Sequence, residues 1–73
     1  VGGYLKLDET PIKSLGNLKH VGGYLSLYIC RQFESLGNLE YVGGSLYLRY
    51  TPLSRTMSED EIRSKVNVEG DIY

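Results

Sequence analysis

Tryptophan is absent from these 73 residues, and cysteine, histidine, methionine and phenylalanine occur once each. A single cysteine excludes an internal disulfide framework and any cysteine-rich zinc site. A single histidine leaves no partner for metal or acid–base chemistry, so no catalytic residue, metal or cofactor is assigned. An excess of charge of one sign is also missing. Eight basic and nine acidic side chains give a net charge of −1, and no field marks nucleic acid or anionic membrane as the partner. Apolar residues make up 41% of the chain but come in short pieces. None approaches the ~20 consecutive residues a membrane span needs. No charged-then-apolar stretch at the N-terminus reads as a signal peptide. A lone thiol and no signal point to a reducing interior.

What is present is glycine, tyrosine and repetition. Val1-Gly2-Gly3-Tyr4-Leu5 recurs as Val21-Gly22-Gly23-Tyr24-Leu25 and as Val42-Gly43-Gly44-Ser45-Leu46, with a weaker copy at Val68-Glu69-Gly70-Asp71-Ile72. Ser14-Leu15-Gly16-Asn17-Leu18 recurs as Ser35-Leu36-Gly37-Asn38-Leu39. The first two copies share 11 of 20 positions, with one residue inserted near Arg31, too many for coincidence. The repeats run 1–20, 21–41, 42–67 and a partial 68–73, read as one domain. Periods of this length predict a solenoid, in which each unit buries its face against the next.

Each unit predicts a short strand followed by a turn. Tyr4–Asp8, Tyr24–Tyr28 and Ser45–Arg49 alternate apolar and polar positions with period two. The double glycine before each strand marks a close approach that a side chain would obstruct. Stacked as a mainly parallel sheet at ~4.8 Å spacing, the units form apolar columns. Leu5, Leu25, Leu46 and Ile72 make one; Leu7, Leu27 and Leu48 another; Ile12, Phe33 and Leu53 a third; Val1, Val21, Val42 and Val68 a fourth. Leu15 with Leu36 and Leu18 with Leu39 fill the back.

In the third unit the Ser-Leu-Gly-Asn-Leu turn is replaced by Ser54–Lys65. Ser58 and Glu61 form a capping box, Met57 and Ile62 a hydrophobic staple, and Arg63 and Lys65 complement the dipole at the far end. One short helix is expected, about Glu59 to Lys65.

The spacing Leu18-x-x-Val21-x-x-x-Leu25-x-Leu27-x-x-Cys30 resembles the leucine-rich repeat, with Thr10, Cys30 and Thr51 at the family's Asn/Cys position. There the resemblance implies a small polar side chain that satisfies turn backbone from inside. Two departures stand out: Val-Gly-Gly replaces the usual opening leucine, and no unit carries the usual asparagine. The Asn-Leu-x-x-Val-Gly-Gly-x-Leu-x-Leu phrase is also similar to the receptor L domain and to leucine-rich-repeat-like proteins of bacteria and their phages. For a phage protein the location would be the virion. The missing initiator methionine and the uncapped repeats lead us to expect a fragment of a longer chain.

Residues between the leucine columns make an outward grid: Tyr4, Tyr24, Ser45 and Asp71; Lys6, Ser26, Tyr47 and Tyr73; Asp8, Tyr28 and Arg49. Tyrosine combines large contact area with a hydrogen-bonding tip, so Tyr4, Lys6, Tyr24, Ser26, Tyr28, Tyr47 and Arg49 are the candidate protein-binding face. A tyrosine ladder that only stabilises the sheet fits the same pattern. The chain therefore reads as a non-catalytic protein–protein interaction module or, alternatively, as a structural component of a phage particle or multidomain surface protein. A protein partner, or self-association through open solenoid ends, is expected; nucleic acid is disfavoured by the charge balance. Cys30 is assigned to the interior and His20 to the surface.

Overall fold

The computed structural model describes residues 1–73 and contains two three-stranded parallel sheets and two short helices. The first sheet is ordered β1 (Leu5–Lys6), β3 (Leu25–Ser26), β5 (Leu46–Tyr47). Leu5 pairs with Leu25, Leu25 with Leu46, and Leu46 bridges to Ile72, so one leucine column is a set of direct cross-strand neighbours. Regular strand covers two residues per unit, not the five expected. The hydrogen-bond ladder nevertheless continues further, through Leu7 N–H to the Ser26 carbonyl (2.8 Å) and Glu9 N–H to the Tyr28 carbonyl (3.0 Å).

The ladder ends where the chain bends at Glu9, Ile29 and Tyr50, which have φ of 60°, 60° and 65°. No glycine or asparagine announces these left-handed turns, and for Ile29 the conformation is strained. Just beyond each bend, a small polar side chain secures a carbonyl. Thr10 Oγ1 donates to the Leu7 carbonyl (2.8 Å), and Thr51 Oγ1 to that of Leu48 (2.7 Å). The fully buried Cys30 Sγ donates to Leu7 O (2.9 Å), in the preceding unit.

The valines form a second sheet, β2 (His20–Val21), β4 (Tyr41–Val42) and β6 (Asn67–Val68), which the repeat pattern disclosed only as an apolar column. Immediately after it the double glycines of successive units lie against one another. A Cβ at Gly22 would sit 2.6 Å from the Gly2 carbonyl oxygen, and one at Gly44 2.9 Å from the Tyr24 nitrogen. No real Cβ approaches backbone so closely, which accounts for the recurring Gly-Gly pair.

The Ser-Leu-Gly-Asn-Leu segments turn by a shared device. Ser14 and Ser35 hydroxyls accept from the Gly16 and Gly37 N–H groups, and these glycines adopt φ of 59° and 60°. In the third unit two helices take over. α2 (Glu59–Lys65) starts on the expected capping box, with Glu61 N–H donating to Ser58 Oγ and Ser58 N–H to Glu61 Oε1. Such a cap is worth about 1 kcal/mol. Met57 and Ile62 both pack on the core. Arg63 ties the helix to the final segment by donating to the Val68 and Gly70 carbonyls, both at 2.9 Å. The single turn α1 (Leu53–Thr56) precedes it and was not expected, because four residues are too few for a helical period to emerge.

One continuous core joins these parts, built on Phe33, Leu25, Leu27, Leu46, Leu48 and Ile62. Burial is uneven along the columns. Leu5, Leu7, Ile12 and Leu18 of the first repeat are half-buried, and Val1 is 50% exposed where Val21 and Val42 are fully covered. At the opposite end Leu53, Ile62 and Val66, from the helical part of the third repeat, are buried in the same core. No helix is long and apolar enough to cross a membrane.

Candidate functional site

The register of the first sheet decides which grid residues meet. Leu5, Leu25 and Leu46 point into the core, so by alternation the flanking residues face away from it. Tyr4 lies on Tyr24 as a near-parallel stack, with centroids 4.9 Å apart and planes at 7°. Tyr47 stacks likewise on Tyr73 at 5.0 Å. Between the two stacks, Tyr24 meets Tyr47 edge-on at 6.0 Å. A single run of four rings thus crosses the sheet diagonally, each contact adding roughly 0.5–1.5 kcal/mol beyond area burial.

The rings keep enough surface to touch something else. Tyr4 is 62% exposed and Tyr73 49%, whereas Tyr47 is half-buried by its neighbours on both sides. Lys6 and Arg49 are exposed at the margins. The Tyr73 hydroxyl donates to Asp71 Oδ2 (3.2 Å), and the adjacent Asp71 carboxylate raises the phenol's pKa above its ordinary value, first by charge and then through that hydrogen bond.

Ser26 corrects the expected face. It occupies the predicted rung opposite Lys6 and Tyr47 but is only 6% exposed, so it offers nothing to a partner. Its hydroxyl donates to Asp8 Oδ1, which also accepts the Tyr28 N–H at 3.0 Å; Lys6 Nζ lies 3.9 Å from Asp8 Oδ2. Asp8 therefore bonds to the second repeat from the first. Arg49 has no part in this network.

Tyr28 takes another direction from the diagonal run. Its ring meets Tyr50 edge-on at 5.6 Å. Tyr50 is 59% exposed and had no place in the sequence-derived grid, because the left-handed turn that presents it carries no sequence signal. On the other sheet the exposed His20 stacks on Tyr41 at 4.6 Å, a surface contact between successive repeats.

Around Tyr50 the surface is concave. Ile29, Arg31, Tyr50, Thr51, Pro52 and Arg55 line a groove of about 470 Å³. A second groove continues from it across Ile29 and Arg31 to Glu9 and Thr10. Arg31 and Arg55 could be noticed in the sequence only as charges; their convergence depends on α1 following the bend at Tyr50. Comparison of the chain with protein-family models, curated proteins and solved structures finds no match.

Proposed function

We propose that the chain is a leucine-rich-repeat-like solenoid of roughly twenty residues per coil, and that it works as a non-catalytic protein-interaction module through its tyrosine-rich strand face. The observation that carries this reading is the diagonal run of Tyr4, Tyr24, Tyr47 and Tyr73, partly exposed over an aliphatic core and flanked by Lys6 and Arg49. The in-register parallel pairing of equivalent leucines supports the solenoid. Rigid aromatic rings already held by neighbours lose little freedom when a partner lands on them, which favours recognition. The proposed contact set is Tyr4, Lys6, Tyr24, Tyr28, Tyr47 and Arg49, without Ser26.

A second reading has its own support. Each stacked pair turns ring faces toward each other, and this alone strengthens a sheet by the same roughly 0.5–1.5 kcal/mol per contact. In that case the module is a structural or assembly component. One double variant separates the two. With a partner isolated on the wild-type protein and then purified, Tyr24→Ser with Tyr47→Ser is expected to weaken binding at least about ten-fold. Thermal unfolding should stay cooperative although three ring contacts are lost, with Tm lowered by roughly 10–20 °C. Unchanged affinity would overturn the binding reading, and a lowered Tm with full affinity would favour the structural one.

A further inference from the structure

The groove beside Tyr50 has features that the strand-face reading leaves unused. Arg31 and Arg55 are both exposed on its walls, and neither belongs to the protein's two ion pairs, Lys6–Asp8 and Glu59–Arg63. Arg63 makes a useful contrast, since it is occupied by Glu59 and two backbone carbonyls. The protein as a whole carries a net charge of −1, so the positive character here is local. Ile29 and Pro52 give the groove an apolar surface, and Tyr50 adds an exposed aromatic wall.

The backbone that builds this wall is costly. Ile29 is β-branched and sits at φ 60°, a conformation that glycine or asparagine adopts far more readily. The same bend recurs at Glu9 and Tyr50, so the repeat imposes it, and it costs most at Ile29 because that residue is β-branched. Ile29 lines both halves of the groove, at the junction between them.

We propose that this groove binds an acidic peptide segment of a protein partner, with one carboxylate held between Arg31 and Arg55 and an adjacent apolar side chain against Ile29, Pro52 and Tyr50. Guanidinium forks suit carboxylates in both geometry and charge. The carboxylate lies at the Arg55 end, because Glu9 stands at the other end and repels it. This site lies on the turn row and holds whether or not the tyrosine face binds.

The test uses the intact chain and two fluorescent peptides, acetyl-Ser-Asp-Leu-Glu-Ser-amide and its uncharged counterpart with Asn and Gln in place of the acids. Fluorescence anisotropy should show saturable binding of the acidic peptide, at least about ten-fold tighter than the counterpart and weakening as salt is raised. Arg31→Gln and Arg55→Gln should each weaken it several-fold, while Lys13→Gln, outside the groove lining, leaves it unchanged. Ile29→Asn should raise Tm by relieving the turn and yet lower affinity, a combination that a purely structural isoleucine does not give. Equal affinity for both peptides, or no saturation by about 5 mM acidic peptide, overturns the proposal. So do arginine variants that bind as well as wild type. Tyr24→Ser with Tyr47→Ser is expected to bind this peptide normally, which keeps failure of the groove distinct from failure of the strand face.

Discussion

Replacing Gly43 with alanine is expected to lower Tm by about 10–20 °C, whereas the same change at Gly2 leaves it unchanged or raises it by a few degrees. Both glycines occupy the same position in their repeats, so local propensity predicts equal effects. Their surroundings differ. A Cβ at Gly43 would drive into the Gly22 carbonyl oxygen, which is backbone and has no rotamer to escape by; at Gly2 there is nothing within 4 Å. Alanine at Gly2 even gains slightly through the unfolded chain. Overpacking against backbone typically costs about 1–3 kcal/mol, and for a chain this short each kcal/mol is roughly 4–8 °C. Far-UV circular dichroism on heating measures both variants. Equal shifts at the two positions would remove the close-approach explanation for the Gly-Gly pairs.

Truncating Phe33 is the other large effect. Phe33 is the largest fully buried side chain and lies one repeat from Ile12 and Leu53 in its column. The backbone makes the same link, with Leu53 N–H donating to the Phe33 carbonyl at 3.1 Å. Phe33→Ala should cost about 3–5 kcal/mol, since a cavity between two repeats cannot close without separating them from their ladder. Ile12→Ala should cost less, roughly 1–2 kcal/mol, because Ile12 is already half-exposed and leaves no enclosed void. Urea titration followed by circular dichroism gives both values. A Phe33→Ala protein as stable as Ile12→Ala would contradict a core shared between repeats.

The parts legible in the sequence were those set by repetition and by short-range chemistry. Equivalent leucines had to become neighbours once the units pair in register, and Leu5, Leu25 and Leu46 do. The capping box at Ser58 and Glu61 is a four-residue matter, and the helix runs Glu59–Lys65 as its residues dictate. Features set by neighbouring repeats were not legible. Ser26 reads as an exposed strand residue until Asp8 from the first repeat covers it. The β2-β4-β6 strands each carry a single buried valine and no apolar/polar alternation extends around it, so only a column registers. Ile29 opposes its own backbone preference, so no local rule finds the left-handed row of Glu9, Ile29 and Tyr50. The arginine groove depends on that row, and it was missed for the same reason.

The same dependence separates the two proposed surfaces. The tyrosine run follows from repeat register alone, whereas the groove needs the bend, α1 and the strained Ile29 together. Substitutions at the groove therefore report on recognition without disturbing the leucine columns, which lie on the inner side of the sheet.

Parallel, in-register pairing of the repeats underlies both the core and the two surfaces, and scalar couplings across hydrogen bonds in ¹⁵N,¹³C-labelled protein test it directly. Couplings are predicted from the Leu5 amide nitrogen to the Tyr24 carbonyl carbon, from Leu25 to Ser45, and from Leu46 to Asp71. Couplings that instead link the two arms of a hairpin within one repeat, with these three missing, would contradict it.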